Sequence, residues 1–245
     1  MFSIRHSTDI HEEDGGWFQA RWHFSFDHYN DPRQMGVGPL RVFNDDRIVA
    51  GAEWPMHPHR DIESLTYVVE GEFLHADSLG NDGRLRAGGA QVMSFSHSGA
   101  EHSERNGSAT EPLRFLQFWI LPSRVSGTSS VQQRQYSVED RLDRWLQIMS
   151  PPGEEGLDLR QDAFVKVSRL NQGQQLDFCL PEERVGYLYV IDGDVGLDGQ
   201  KAGTGDAATV IGPHSLTVDA ITTAELIGID VPQHYEPVGV WAGRA

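Results

Sequence analysis

What most constrains this chain is the brevity of its apolar runs. "PLRVFN", "SLTYVVEG", "AQVMSF", "LRFLQFWILP", "GYLYVIDG", "DAATVIG" and "AELIGIDVP" are short, rich in Val, Ile, Tyr and Phe, and bounded by turn residues. Such runs are strands, because β-branched and aromatic side chains suit a pleated surface and Gly or Pro interrupts the pairing. Helical periodicity is scarce. "SVEDRLDRWLQIM" reads as a helical turn at its start and equally well as a strand at its end. The chain is expected to be all-β, a sandwich or barrel, with 26 glycines and 12 prolines supplying the turns.

A length of 245 residues allows one large domain or two ordinary ones. The stretch "LPSRVSGTSSVQQRQ", residues 121 to 135, is polar and Ser/Gly-rich, and it reads as a connector between domains 1–122 and 123–245. The halves rhyme: "LTYVVEGEFLHADSLG…GGAQVM" and "YLYVIDGDVGLDGQ…GTGDAATVI" share an aromatic strand, an acidic-Gly turn and a Gly-led turn into a further strand. The net charge of −16, from 36 acidic and 20 basic residues, argues against nucleic acid or an anionic membrane face as partner. No run approaches the length of a membrane span. The start, "MFSIRHSTDIHEEDGG", has no apolar core of signal length, and a single cysteine, Cys179, leaves no intramolecular disulfide. A cytoplasmic protein is expected.

With eleven histidines, the triplet "HPH" could arise by chance. Its setting argues otherwise. Residues i and i+2 of a strand share a face, so His57 and His59 project together. "SHSGAEHSERNG" repeats that spacing at His102 and Glu104. Two neighbouring strands offering two ligands each would converge on one point. Three imidazoles and a carboxylate suit Fe(II), Cu(II), Ni(II), Mn(II) or Zn(II), and leave two octahedral positions open, whereas a structural zinc site would be closed and contain cysteine.

These residues carry a resemblance. "GAEWPMHPHRDIE" followed by "GAEHSERN" resembles the two short motifs of the cupin superfamily. "WHFSFDHYNDP", "GPLRVFNDDRI", "HPHRDIESLTYVVEGEFLHADSLGN", "HSE" and "LQFWILP" are similar to the pirin family, above all to its bacterial members described as quercetin 2,3-dioxygenases. The similarity continues through "QQRQY", "SPPG", "QDA", "GDA" and "IDVP" and covers nearly the whole chain. It implies a bicupin, two jelly-roll β-barrels joined by a short linker, with metal in the N-terminal barrel only. The family's ligand pattern falls on His57, His59, His102 and Glu104. Aligning Gly193 with Gly71 places Cys179 and Pro181 at the positions of the histidine pair, and nothing like His102 and Glu104 follows Gly205, so the second barrel is expected to hold no metal. One departure stands out. Where relatives have a G-x-G turn before the second histidine, this chain has Ser96, His97 and Ser98, and the altered loop 96–101 could narrow the mouth of the site.

The resemblance implies a metal-dependent dioxygenase that uses O2 to cleave a flavonol-like polyphenol with loss of carbon monoxide. One divalent ion is expected, Fe(II) first, with Cu, Ni, Mn, Co or Zn as alternatives. It would bind the enolic oxygen of a small aromatic substrate while Glu104 serves as general base. Neutral imidazoles are required, so activity is expected to fall below about pH 6. The alternatives are a metal-loaded regulatory adaptor that grips a protein partner, and a cupin enzyme of other chemistry. An enzyme needs a cavity that reaches the metal; an adaptor does not. Elsewhere, His97 reads as a solvent-exposed loop histidine before a ligand or acid/base group. Glu63 reads as an outer-face residue or an imidazole's partner, His75 as a structural hydrogen bonder and Cys179 as a buried small hydrophobe. The aromatics of "GWFQARWHFSF" read as core packing before the lining of a pocket.

Overall fold

In the computed structural model, which describes residues 1–125 and 127–243, each of the apolar runs lies in a strand, and no α-helix occurs among the described residues. The ambiguous segment is both things it resembled, a 3-10 turn at Glu139–Arg141 leading to the strand Leu146–Ser150. Among the described residues no helix is long and apolar enough to cross a membrane. Ser126, within the stretch read as a connector, lies outside the described residues.

The chain forms two compact units, one of residues 11–136, 157–161 and 236–245, the other of 1–10, 137–156 and 162–235. They are not the contiguous segments 1–122 and 123–245, and the reason is strand pairing. Ser130–Gln135 completes the larger sheet of the first unit by pairing with Gly89–Phe95. Phe2–Arg5 does the same in the second unit, pairing with Ala207–Ile211. One side of each larger sheet is thereby completed by a strand from beyond the segment that builds the rest of the barrel, which pairs the hydrogen-bonding groups of Gly89–Phe95 and Ala207–Ile211 that would otherwise recruit other chains.

The first unit's larger sheet runs Ser130–Gln135, Gly89–Phe95, Ile62–Glu70, Leu113–Ile120, Leu40–Ile48, Phe18–Trp22, His11–Asp14. Its smaller sheet runs Glu53–His59, Ala100–Asn106, Glu72–Asp77, Asp82–Arg86. The second unit repeats the smaller sheet strand for strand, as Gln175–Leu180, His214–Ala220, Asp194–Leu197, Gln200–Gly203. The internal rhyme of the sequence is thus a repeat of topology. Gly71 and Gly193 mark it, since both sit at left-handed φ, 87° and 89°. A Cβ at either would lie 2.6 Å from the Pro112 carbonyl oxygen or 2.4 Å from that of Thr223, so only glycine makes this turn.

Ile48, Val68, Phe73, Leu85, Leu113 and Phe115 form one apolar cluster of the first unit, with Phe18 and Trp54 packed against it. The bidentate pair of Arg114 with Asp45, at 2.9 and 2.6 Å, is buried in the same unit. In the second unit the strand Gln175–Leu180 turns Phe178 and Leu180 inward and exposes Cys179, which overturns the reading of that cysteine as buried. The counterpart of the histidine pair is therefore apolar. Phe178 pairs with Leu216 across the sheet, and its ring occupies space that a side chain at Gly186 or Gly228 would fill.

Candidate metal centre

The strands Glu53–His59 and Ala100–Asn106 pair antiparallel with His57 directly opposite His102. Between His102 and Glu104 the register shifts, because Glu104 pairs with Trp54 and leaves one extra residue on the facing strand. That bulge lets Trp54, His57 and His59 all turn the same way. The imidazoles of His57, His59 and His102 meet as the spacing predicts, each offering a nitrogen within 4.8 Å of the others. Their ring centroids are 4.5 to 5.0 Å apart.

Glu104 stands just outside this group. Its Oε1 lies 4.0 Å from His102 Nδ1 and accepts a hydrogen bond from the Gln117 side-chain amide. Gln117, on the strand Leu113–Ile120, was not singled out in the sequence, although a lone amide inside "LRFLQFWI" is the signal that could have found it.

The donors are prepared for a cation. His57 Nδ1–H donates to the Pro55 carbonyl at 2.8 Å, which leaves Nε2 with its lone pair. His102 is fully buried and neither of its nitrogens has a hydrogen-bond partner. An unmet buried polar atom costs about 1–3 kcal/mol, and coordination removes that cost. Burial, then the neighbouring His57, lowers the pKa of His59 to about 4. Burial, then His57 and His59, lowers that of His102 to about 2. These two rings stay neutral well below pH 6, so the expected acid limit of about pH 6, set by ordinary imidazoles, does not apply to them. Three imidazole nitrogens and a nearby carboxylate fit a divalent transition metal.

Burial raises Glu104 to about 8 against the opposing effect of the Gln117 amide. Asp46 lies well above the usual carboxylate range, chiefly through burial and then through the charges of Glu104 and Asp45. Both line a cavity of about 830 Å³, together with His57, His59, Asn44 and Gln117. Much of its remaining wall is aromatic, with Phe18, Trp22, Phe26, Tyr29, Trp54, Trp119 and Trp241, beside the polar Ser25, Asp27, Asn30 and Arg41. The aromatic stretch read as core packing thus contributes three of the rings. Trp119 stands edge-on to His59 at 4.9 Å, and the indole N–H groups of Trp119 and Trp241 are buried without partners.

Several other candidates lie elsewhere. His97 is 67% exposed and pairs with the buried Asp61 at 3.0 Å. Residues 96–101 do not border the cavity, so the altered loop does not narrow it. What the loop does fix is Gly99, at φ 72°, where a Cβ would meet the His59 carbonyl oxygen at 2.7 Å. Glu63 is neither on an outer face nor beside an imidazole. It is fully buried and accepts from Ser94 Oγ and from the backbone N–H groups of Arg160 and Gln161. His75 is a structural hydrogen bonder, as its sequence context suggested. It lies between Asp77, at 3.0 Å from Nε2, and the Gln91 amide, at 3.3 Å from Nδ1.

Comparison with known proteins gives these observations a context. Residues 4–120 match the Pirin family model, and 147–231 match that of the quercetinase C-terminal cupin domain. The chain is 36% identical to a quercetin 2,3-dioxygenase of Escherichia coli K12 over 95% of its own length and 99% of that protein. It is 37% identical to a pirin-like protein of Caulobacter vibrioides, over 89% and 94% of the two chains. The crystal structure of the bacterial pirin YhhW from Escherichia coli, in complex with nickel(II), superposes with a TM-score of 0.88 at 34% identity, covering 97% of this chain and 100% of that one. The fold is that of a bicupin.

Proposed function

The chain belongs to the pirin family, and from that premise we propose that it is a metal-dependent dioxygenase that opens a flavonol-like polyphenol with O2. The observation that carries the reading is a cluster of three imidazoles, two of which, His57 and His59, line a cavity rich in aromatic rings. An adaptor has no need of such a cavity, which ranks the enzyme first. His57, His59, His102 and Glu104 would hold one divalent ion, Fe(II) first among Fe, Cu, Ni, Mn, Co and Zn. When bound, that ion supplies a Lewis acid that acidifies an enolic hydroxyl and a centre for O2 chemistry.

The rest falls to the chain. The rings of Phe18, Trp54 and Trp119 sandwich a flat aromatic substrate and exclude water from it. The partnerless N–H groups of Trp119 and Trp241 donate to its oxygens. Glu104, whose proton affinity burial has raised, takes the enolic proton, and the Gln117 amide orients its carboxylate for the task. Asp46, whose carboxyl burial holds well above the usual carboxylate range, lies on the same wall.

The test is oxygen uptake and carbon monoxide release with quercetin, measured beside metal content, for the wild type, Glu104→Gln and His102→Ala. Glu104→Gln should keep substrate affinity and lose about 10²–10⁴-fold in turnover. His102→Ala should lose metal and activity together. Turnover that persists in metal-free protein removes the proposal. Metal-replete protein inert to quercetin and other enols, yet retained by a protein partner, favours the adaptor.

A further inference from the structure

A second group of ligating side chains lies on the same unit. His11 and Glu13 alternate along the strand His11–Asp14 and share its half-buried face. His28 reaches them from the turn closed by the Phe26–Tyr29 bridge. One carboxylate oxygen, Glu13 Oε2, lies 3.3 Å from His11 Nε2 and 3.1 Å from His28 Nε2. The other nitrogen of His28 faces Asp27 Oδ2 at 3.3 Å. Both rings are held in place. His11 stacks on Tyr29 at 4.3 Å with 6° between planes, and Trp22 stands 5.5 Å from His11 and 5.2 Å from His28.

This arrangement holds more acceptors than neutral imidazoles can serve. A neutral His28 has one N–H for two carboxylates, and whichever it leaves unmet opposes lone pair to lone pair. An added proton would resolve the conflict by making both nitrogens donors. A cation resolves it better. It would take the lone pairs of both Nε2 atoms and of Glu13 Oε2 at once, leaving His28 Nδ1–H to donate to Asp27. A carboxylate behind a ligating imidazole is a recurrent support for metal ligation.

We propose that His11, Glu13 and His28 form a second divalent-cation site, taking Zn(II), Ni(II) or Cu(II), beside the aromatic cavity and separate from the three-histidine centre. Trp22, Phe26, Asp27 and Tyr29 all line that cavity. An ion here ties the turn that carries three of them to the strand His11–Asp14, and so fixes one wall of the chamber. The site stands on its own geometry and does not depend on the dioxygenase reading.

Chelator-stripped full-length protein, equilibrated with Zn(II) alone, should bind two equivalents by elemental analysis. His28→Ala and Glu13→Ala should each bind one, and so should His102→Ala. If the buried centre takes no zinc, the wild type and His102→Ala bind one and His28→Ala none, so failure there is distinguishable from failure here. Equal zinc on the wild type and on His28→Ala overturns the proposal. His28 is 62% exposed at its side chain, so its truncation leaves the fold intact, which near-ultraviolet dichroism checks. A second readout uses Cu(II) on the His102→Ala background. Quenching of Trp22 emission, identified with Trp22→Phe, should vanish in Glu13→Ala, and its persistence there refutes the assignment.

Discussion

Glu63 offers a test in which two physical effects compete with opposite sign. Its carboxylate accepts hydrogen bonds from Ser94 and from two backbone N–H groups, which favour the charged form. Full burial disfavours it. Burial wins, and the pKa rises from 4.5 to about 6. At about 1.4 kcal/mol per factor of ten in proton affinity, that rise corresponds to about 2 kcal/mol of pH-dependent stability. The folded protein binds the Glu63 proton more tightly than the unfolded chain does. The contribution is therefore full below about pH 4.5 and is lost as pH climbs through about 6. Glu63→Gln cannot titrate and isolates the effect from every other group. Urea unfolding of both proteins, from about pH 4 to about pH 7.5, gives the stability difference at each pH. Wild type minus variant should fall by about 2 kcal/mol across that interval. A difference that rises with pH would mean the hydrogen bonds outweigh desolvation, and a flat one that Glu63 does not titrate there; either result refutes the reasoning.

Arg114→Leu removes the bidentate cationic partner of the buried Asp45 carboxylate and should cost about 3–5 kcal/mol in urea unfolding, most of it recovered in the double variant Asp45→Asn, Arg114→Leu. Trp119→Phe keeps the ring beside His59 and deletes one N–H, so kcat/KM for quercetin should drop about 3- to 10-fold with metal content unchanged. Gly99→Ala forces a Cβ against the His59 carbonyl oxygen and strains a left-handed φ. It should weaken metal binding, measured as zinc affinity of the stripped protein, although residue 99 offers no ligand.

The strands were legible because each apolar run ends in its own turn. The histidine cluster was legible because strand geometry gives i and i+2 one face. Where the reading failed, parity or double burial was responsible. Cys179 falls between the inward Phe178 and Leu180, so the alternation in "QLDFCL" already pointed it outward. Aligning glycines across the repeat hid this, because two residues join His59 to the next strand in the first barrel and three join Leu180 to its successor in the second. Glu63 had no outer face to occupy, since Ile62–Val68 is buried without a break. Its partners, Arg160 and Gln161, are remote in sequence. Phe18, Trp22 and Phe26 looked like core because aromatic composition is the same for a packed wall and for a cavity wall. Only the third dimension separates them.

The borrowed edge strands bear on how the molecule comes off the ribosome. A nascent chain that ends near residue 122 has made most of the first barrel but not Ser130–Gln135, and the open side of Gly89–Phe95 is left as an adhesive rim. Phe2–Arg5 is made long before Ala207–Ile211, the strand with which it pairs. Neither half can be released as a finished piece, so a gene divided at the apparent midpoint yields two fragments that each lack a closing strand and share a tendency to clump.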